Sequence, residues 1–297
     1  MSLNIVINIV LTSNDFLTPY LIVKTYSWNE LMIKRIMKIV NIVSHTFVKK
    51  NNKYVIIKNA INDKAFYPFY QPIVNAKDKH VVGYESLARW LSHGKVIPPN
   101  EFIPSIEKFK LMEAFTNLII DNVIEDLDKF PDHIWISINI TAEHLESDIL
   151  LNKLAQLDWP TPHRLKFELT ENKNIANRKK ALEVVQILKN KGYGLKLDDY
   201  GSGFCNAKNL LCLGFTEIKI DRVFIGDTTI PSVQNNILLS LIDFTKRCNI
   251  DVIVEGVEEH YQADFLIKHG VYFHQGFLYS KPKALADILQ EPFAMQS

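Results

Sequence analysis

From residue 67 onward, short apolar runs alternate with longer stretches whose apolar positions recur every three or four residues. The runs predict strands at 67–74, 81–90, 134–140, 164–171, 194–200, 215–221, 251–257 and 271–276. Several begin as near-continuous apolar segments, the mark of strands covered on both faces. Between them, "EFIPSIEKFKLMEAFTNLIIDNVIEDLDKF" spaces Ile106, Met112, Phe115, Leu118, Ile119 and Val123 as one helical face. Similar helical spacing runs through 178–190, 234–247 and 259–268. About eight strands alternating with helices predict an α/β fold, a closed TIM-like (β/α)8 barrel rather than an open sheet. Only "NAKDKH" joins the first two strands, too short for a crossover helix, so that pair is expected to be antiparallel.

Composition divides the chain into two parts. Residues 1–62 carry eight basic and two acidic residues, a net of +6, whereas the remainder carries −5 and all eleven glycines. The expected organisation is therefore a basic N-terminal extension, 1–62, followed by the barrel, 63–297. "NELMIKRIMKIVNIVSHTF" has the spacing of an amphipathic helix. Packing onto the barrel, a signalling helix, a remnant of a regulatory domain and a basic DNA-binding element all stay open for it. The overall charge of +1 argues against a globally electrostatic nucleic-acid binder. Cys205, Cys212 and Cys248 form no C-x-x-C pair, so a disulfide framework or zinc ribbon is not expected and a reducing cytoplasm fits. The apolar opening "MSLNIVINIVL" lacks a basic start and is interrupted at Ser13, Asn14 and Asp15, so no signal peptide or membrane span is read there.

The polar residues inside the apolar runs fall near strand ends: Glu85, Asn139, Glu168 with Glu171, Asp198 and Asp199, Lys219, Glu255 with Glu258, and Gln275. Barrel enzymes assemble their active sites at the carboxyl ends of the strands. The five carboxylates at the strand ends themselves, Glu85, Glu168, Asp198, Asp199 and Glu255, would repel by several kcal/mol on converging at one mouth unless neutralised, and divalent cations do this. An all-oxygen donor set selects hard ions such as Mg²⁺ or Mn²⁺ over zinc. Adjacent Asp198 and Asp199 suit two ions about 4 Å apart, as in two-metal phosphodiester hydrolysis, with Lys219 complementing developing charge or orienting a water. Each residue also has an ordinary alternative. Asn139 suits the cap of a helix starting near Ala142, Lys219 with Asp221 suits a surface pair, and Arg89 suits stacking on Trp90. An unrelated barrel enzyme of enolase-like type, with Mg²⁺ and a lysine base, is the fold-level competitor.

Ordered motifs resolve the choice by resemblance. "YQPIV" (70–74), "YESLARW" (84–90), "SINIT" (137–141), "FELTE" (167–171), "LDDYGSG" (197–203), "IKID" (218–221), "VEGVE" (254–258) and "HQGF" (274–277) occur in the order of the EAL-domain family, bacterial cyclic di-GMP phosphodiesterases. The resemblance runs from about Phe66 to Pro282. It implies metal-dependent hydrolysis of cyclic di-GMP to linear pGpG on a TIM-like barrel with an antiparallel first strand. It further implies one metal held by Glu85, Asn139, Glu168 and Asp198, and a second by Asp198, Asp199 and Glu255. Two Mg²⁺ or Mn²⁺ ions are thus expected, with Ca²⁺ inhibitory. Lys219 would position the attacking water, and whether Glu255 also serves as general base stays open. Gln71, Arg89 and Gln275 would be substrate contacts, Glu171 a loop anchor and Glu258 a site-shaping residue. A homodimer is implied as well, and a non-catalytic receptor or interaction module is the alternative within the family. The chain departs from the pattern at Ser86, Tyr200 and Ser202, more strongly at Phe204-Cys205-Asn206, and by lacking a glycine in "SIEKFKLM".

Overall fold

The computed structural model describes residue 38 and residues 52–157, 159–170, 175–201 and 213–290. The chain divides into two compact units, Met1–Lys58 and Asn59–Ser297. Of the first unit, residues 38 and 52–58 are described, and they are helical. The expectations for most of the basic extension, including DNA binding, and those for Glu171, Ser202 and Phe204-Cys205-Asn206 lie outside the described residues.

The second unit is the predicted barrel. Its described strands are β1 (Phe66–Asn75), β2 (His80–Ser92), β3 (Lys95–Ile97), β4 (Trp135–Ile140), β5 (Leu165–Thr170), β6 (Gly194–Tyr200), β7 (Glu217–Ile220), β8 (Asp251–Val254) and β9 (Phe273–Gln275). β2 and β4 to β9 run parallel in succession, and β1 closes the ring by pairing antiparallel with both β2 and β9. The tight link is organised by Asn75, whose Oδ1 accepts from the N–H groups of Lys77 and Asp78. Asparagine bonding its own following backbone makes such a turn.

Alternation along the strands sorts residues between two environments. Ile136, Ile138, Leu165, Phe167, Leu195, Leu197, Ile218 and Ile220 are buried, and the intervening positions are polar: Ser137 and Asn139, Lys166 and Glu168, Lys196 and Asp198, Glu217 and Lys219. The apolar set packs under the helices, each side chain contributing about 1.5–3 kcal/mol by leaving water. The polar set faces the lumen. The outer layer comprises α1 (Pro99–Lys108), α2 (Met112–Leu127), α3 (Ala142–Glu146), α4 (Ile149–Gln156), α5 (Arg178–Asn190), α6 (Val233–Arg247), α7 (His260–Lys268) and α8 (Leu285–Ile288).

Three local features differ from the sequence reading. The single helical stretch at 101–130 is two helices, because the chain reverses after α1 with Lys110 at φ 56° and Leu111 N–H returning to Ile106 O. A glycine is favoured in that left-handed position, and here lysine fills it. β3 was not expected; His93 (φ 50°) and Gly94 (φ 72°) form the two-residue turn that pairs it with β2. The run at 251–257 ends as strand at Val254, since Gly256 turns at φ 67°.

β9 also places a buried histidine outside the lumen. The His274 ring meets Tyr279 Oη through Nδ1 at 2.7 Å and Val271 O through Nε2 at 3.1 Å. The carbonyl can only accept, so Nε2 carries the proton and Nδ1 accepts from the tyrosine. Burial pushes this imidazole down to about 4 from its usual 6.5, against the Val271 bond that raises it. The unfolded chain therefore takes up a proton that the native state refuses between pH 6.5 and 4, and stability falls as pH drops through that window. The loss is on the order of 3 kcal/mol by linkage. Urea unfolding of His274→Gln beside the parent at pH 7 and pH 4 checks this: the variant's stability is expected to vary less with pH.

Candidate active site

The site is built by strand register. β4 pairs with β5 so that Asn139 lies beside Glu168, and β1 pairs with β2 so that Gln71 lies opposite Glu85. Alternate lumen-facing positions of neighbouring strands thereby come to one level. The result is two overlapping carboxylate groups, Glu85–Glu168–Asp198 and Asp198–Asp199–Glu255, in each of which one oxygen per residue lies within 4.8 Å of the others. Asp198 belongs to both.

The Asp198–Asp199 pair needs a departure from strand geometry, because adjacent side chains on a regular strand point to opposite faces. Leu197 pairs with Ile218 and Tyr200 with Ile220, so the two aspartates together face the single residue Lys219. This is a β-bulge, and Asp199 adopts φ 53° within it. Aspartate tolerates the left-handed region better than most residues with a side chain.

Lys219 stands at the centre. Its Nζ lies 2.9 Å from Glu85 Oε2, 3.0 Å from Glu168 Oε2, 3.0 Å from Asp198 Oδ1 and 2.9 Å from Glu255 Oε1. The surface pairing with Asp221 considered from the sequence is ruled out, since Lys219 is fully buried and Asp221 instead caps the following turn through Val223 N–H. An ammonium has three protons for these four carboxylates. Glu85 and Glu168 accept hydrogen bonds from it, while Asp198 Oδ1 and Glu255 Oε1 sit at ion-pair distance outside hydrogen-bond geometry.

Glu85 is held at both oxygens. Asn139 Nδ2 donates to Oε1 at 2.9 Å, and Gln275 Nε2 donates to Oε2 at 2.7 Å. Asn139 thus reaches Glu85 in the lumen and does not cap the next helix, where Thr141 takes the cap position. Gln275 also donates to Gln71 Oε1 at 3.2 Å, and Gln71 Nε2 donates to Ser280 O. Arg89 is half-buried further along β2; its guanidinium lies 5.4 Å from the Phe69 ring centre and bonds the carbonyls of Leu87 and Ala88. Its aromatic partner is therefore Phe69 rather than Trp90. Glu258 is exposed, and its backbone N–H donates to Gln262 Oε1.

Three residues overlooked in the sequence complete the lumen: Lys166, Lys196 and Glu217. Lys196 Nζ lies 3.0 Å from both Glu168 Oε1 and Glu217 Oε1, and Lys166 Nζ lies 2.7 Å from Glu217 Oε2. Each stands two positions before a predicted site residue, on the same strand face. That period was the available signal.

The charges do not balance. Six carboxylates (Glu85, Glu168, Asp198, Asp199, Glu217, Glu255) meet three ammonium groups (Lys166, Lys196, Lys219), an excess of three negative charges. Burial opposes ionisation of Glu168, but Lys219 and Lys196 outweigh it and hold its carboxyl at about 2. Burial wins at Glu85, helped by Glu168 and Asp198, and raises its carboxyl despite Lys219. Glu255 is raised well above the carboxylate range by burial together with Asp198 and Glu85. Asp199 is pushed up to about 6 by burial, Asp198 and Asp221. Three carboxyls resist ionisation, matching the excess. Oxygen-only donors, two buried acceptors without a hydrogen bond and surplus negative charge fit hard divalent cations.

The EAL domain model matches residues 55–282. Over 252 residues the chain is 31% identical to the probable cyclic di-GMP phosphodiesterase PdeG of Escherichia coli K12, covering 82% of this chain and 50% of that protein. It is 29% identical over 257 residues to the cyclic di-GMP phosphodiesterase PdeL of the same organism, covering 80% and 70% respectively. The chain therefore spans about half the length of PdeG. Among solved structures, it superposes on the EAL enzyme Bd1971 in its cAMP- and cyclic-di-GMP-bound form with a TM-score of 0.76 at 29% identity, over 88% of this chain and 73% of that one. Barrel topology, motif order and these likenesses agree: the chain belongs to the EAL domain family.

Proposed function

We propose that the chain is a metal-dependent phosphodiesterase that hydrolyses cyclic di-GMP to linear pGpG. The observation that carries this reading is the pair of carboxylate groups sharing Asp198 at the barrel mouth, in a chain with the EAL motifs complete over the described residues. Glu85, Asn139, Glu168 and Asp198 would hold one Mg²⁺ or Mn²⁺, and Asp198, Asp199 and Glu255 a second. Bound ions would neutralise phosphate charge and activate water for in-line attack.

The protein's own groups do the remainder. Lys219 supplies a fixed positive charge, preorganised in a buried site where it needs no reorientation during reaction. Gln71 and Gln275, already bonded to each other, offer amides at the level of Glu85 for the nucleotide. Arg89 presents a planar fork suited to a phosphate. Water adds at phosphorus, one phosphorus–oxygen bond of the ring opens, and the departing ribose oxygen takes a proton.

The test is direct. Purified protein is incubated with cyclic di-GMP and Mg²⁺ or Mn²⁺, and nucleotides are resolved by chromatography. Appearance of pGpG is expected, suppressed when Ca²⁺ replaces either ion. Tight nucleotide binding with no product under either ion would instead make the chain a receptor.

A further inference from the structure

Below the mouth carboxylates, Lys196, Glu217, Lys166 and Trp135 form a second layer that the hydrolytic reading leaves unused. Lys196 and Glu168 are both fully buried, and Lys196 Nζ donates to Glu168 Oε1 at 3.0 Å. The lysine is fixed from below: its Nζ lies 3.0 Å from Glu217 Oε1 and 3.8 Å from the centre of the Trp135 ring. Glu217 is fixed in turn by Lys166, which also stands over that ring at 3.9 Å. Glycines make room for the layer. A Cβ on Gly83 would come within 2.3 Å of the Trp135 indole, and one on Gly194 within 2.6 Å of the Lys166 side chain.

The consequence falls on Glu168. Its Oε2 points to Lys219 among the mouth carboxylates, while its Oε1 is committed to Lys196. Such a carboxylate presents one oxygen to the mouth. Small cations such as Mg²⁺ require near-octahedral coordination, whereas Ca²⁺ accepts more oxygens and readily takes both of one carboxylate.

We propose that Lys196, anchored by Glu217, Lys166 and Trp135, is a positioning residue that restricts Glu168 to one-oxygen presentation and so sets the preference of the mouth for small divalent cations over Ca²⁺. This rests on reading the mouth carboxylates as a divalent-cation site. The arrangement is specific to both charge and length: methionine fills the volume without a donor, and glutamine ends one atom short.

Metal-depleted parent, Lys196→Met, Lys196→Gln and Lys196→Arg are titrated with Mn²⁺, followed by the spectroscopic signal of the free ion, with Ca²⁺ as competitor and no nucleotide present. The methionine and glutamine variants are expected to shift the Ca²⁺-to-Mn²⁺ affinity ratio toward Ca²⁺ by about tenfold or more, the size seen when a group supporting a metal ligand is removed. Lys196→Arg retains the donor and should hold the parent ratio. Glutamine keeps a polar partner for Glu217, so it carries the measurement should the methionine variant fail to fold. A layer serving only as barrel filling would alter thermal stability and leave the ratio unchanged; that result overturns the proposal while the cation site stands. Failure of the parent to bind either ion overturns the site reading and the proposal with it.

Discussion

Asp198→Asn is expected to lower cyclic di-GMP turnover by at least about 10³-fold, a barrier increase of about 4 kcal/mol, without lowering the thermal stability of the metal-free protein. Asp198 is the one residue common to both carboxylate groups, so neutralising it weakens both proposed cation positions at once. The stability half of the prediction follows from the charge excess. Asp198 opposes ionisation of Asp199 and Glu255, and its removal relieves that repulsion. Lys219 keeps three carboxylate partners. Rates measured at saturating Mn²⁺, together with calorimetric unfolding in chelator, check both halves. A variant that lost activity and unfolded at a much lower temperature would indicate a structural role for the aspartate instead.

Lys219→Met has the opposite stability signature. Here a buried ammonium is removed from four carboxylates, and breaking a buried ion pair from one side costs about 3–5 kcal/mol. For a unit of this size the unfolding midpoint should fall by about 10 °C in chelator. Turnover is lost as well, since the fixed charge near the attacked phosphate is gone. Saturating Mn²⁺ should recover much of the lost midpoint, because a ligand that binds only the folded state stabilises it and the cation replaces the missing positive charge. Activity should not return with it. Calorimetry with and without Mn²⁺ separates the lysine's two contributions.

Much of this was readable in the sequence because barrel strands write their two faces in alternate residues. Eight strands and the lumen residues Glu85, Asn139, Glu168, Asp198, Asp199, Lys219 and Glu255 follow from polar residues placed inside otherwise apolar runs, and the antiparallel start from the short link between the first two strands. Lys166, Lys196 and Glu217 escaped notice because charged residues within strands are ordinarily solvated, although each sits two positions before a mouth residue. Register, which only the fold supplies, turns those three into a layer. The break after Lys108 was illegible for another reason: "KFKLM" contains neither glycine nor proline, and Lys110 takes a conformation that its side chain does not advertise. The β3 hairpin was missed although His93-Gly94 suits a tight turn, because the strand beyond it is only three residues long.

The bulge in β6 also sets how this strand can change. From Leu195 to Leu197 the odd-numbered residues look outward; beyond the aspartates it is Tyr200, an even-numbered one, that pairs with Ile220 and stacks on Phe244 of α6. The doublet is thus where the strand's alternation changes phase. Deleting either aspartate would remove the bulge and restore one-to-one pairing, so Tyr200 would still face outward opposite Ile220 and against Phe244 of α6, but one carboxylate would stand where there are now two. The extra residue is therefore what lets one strand end offer two adjacent carboxylates while the packing beyond it keeps its register.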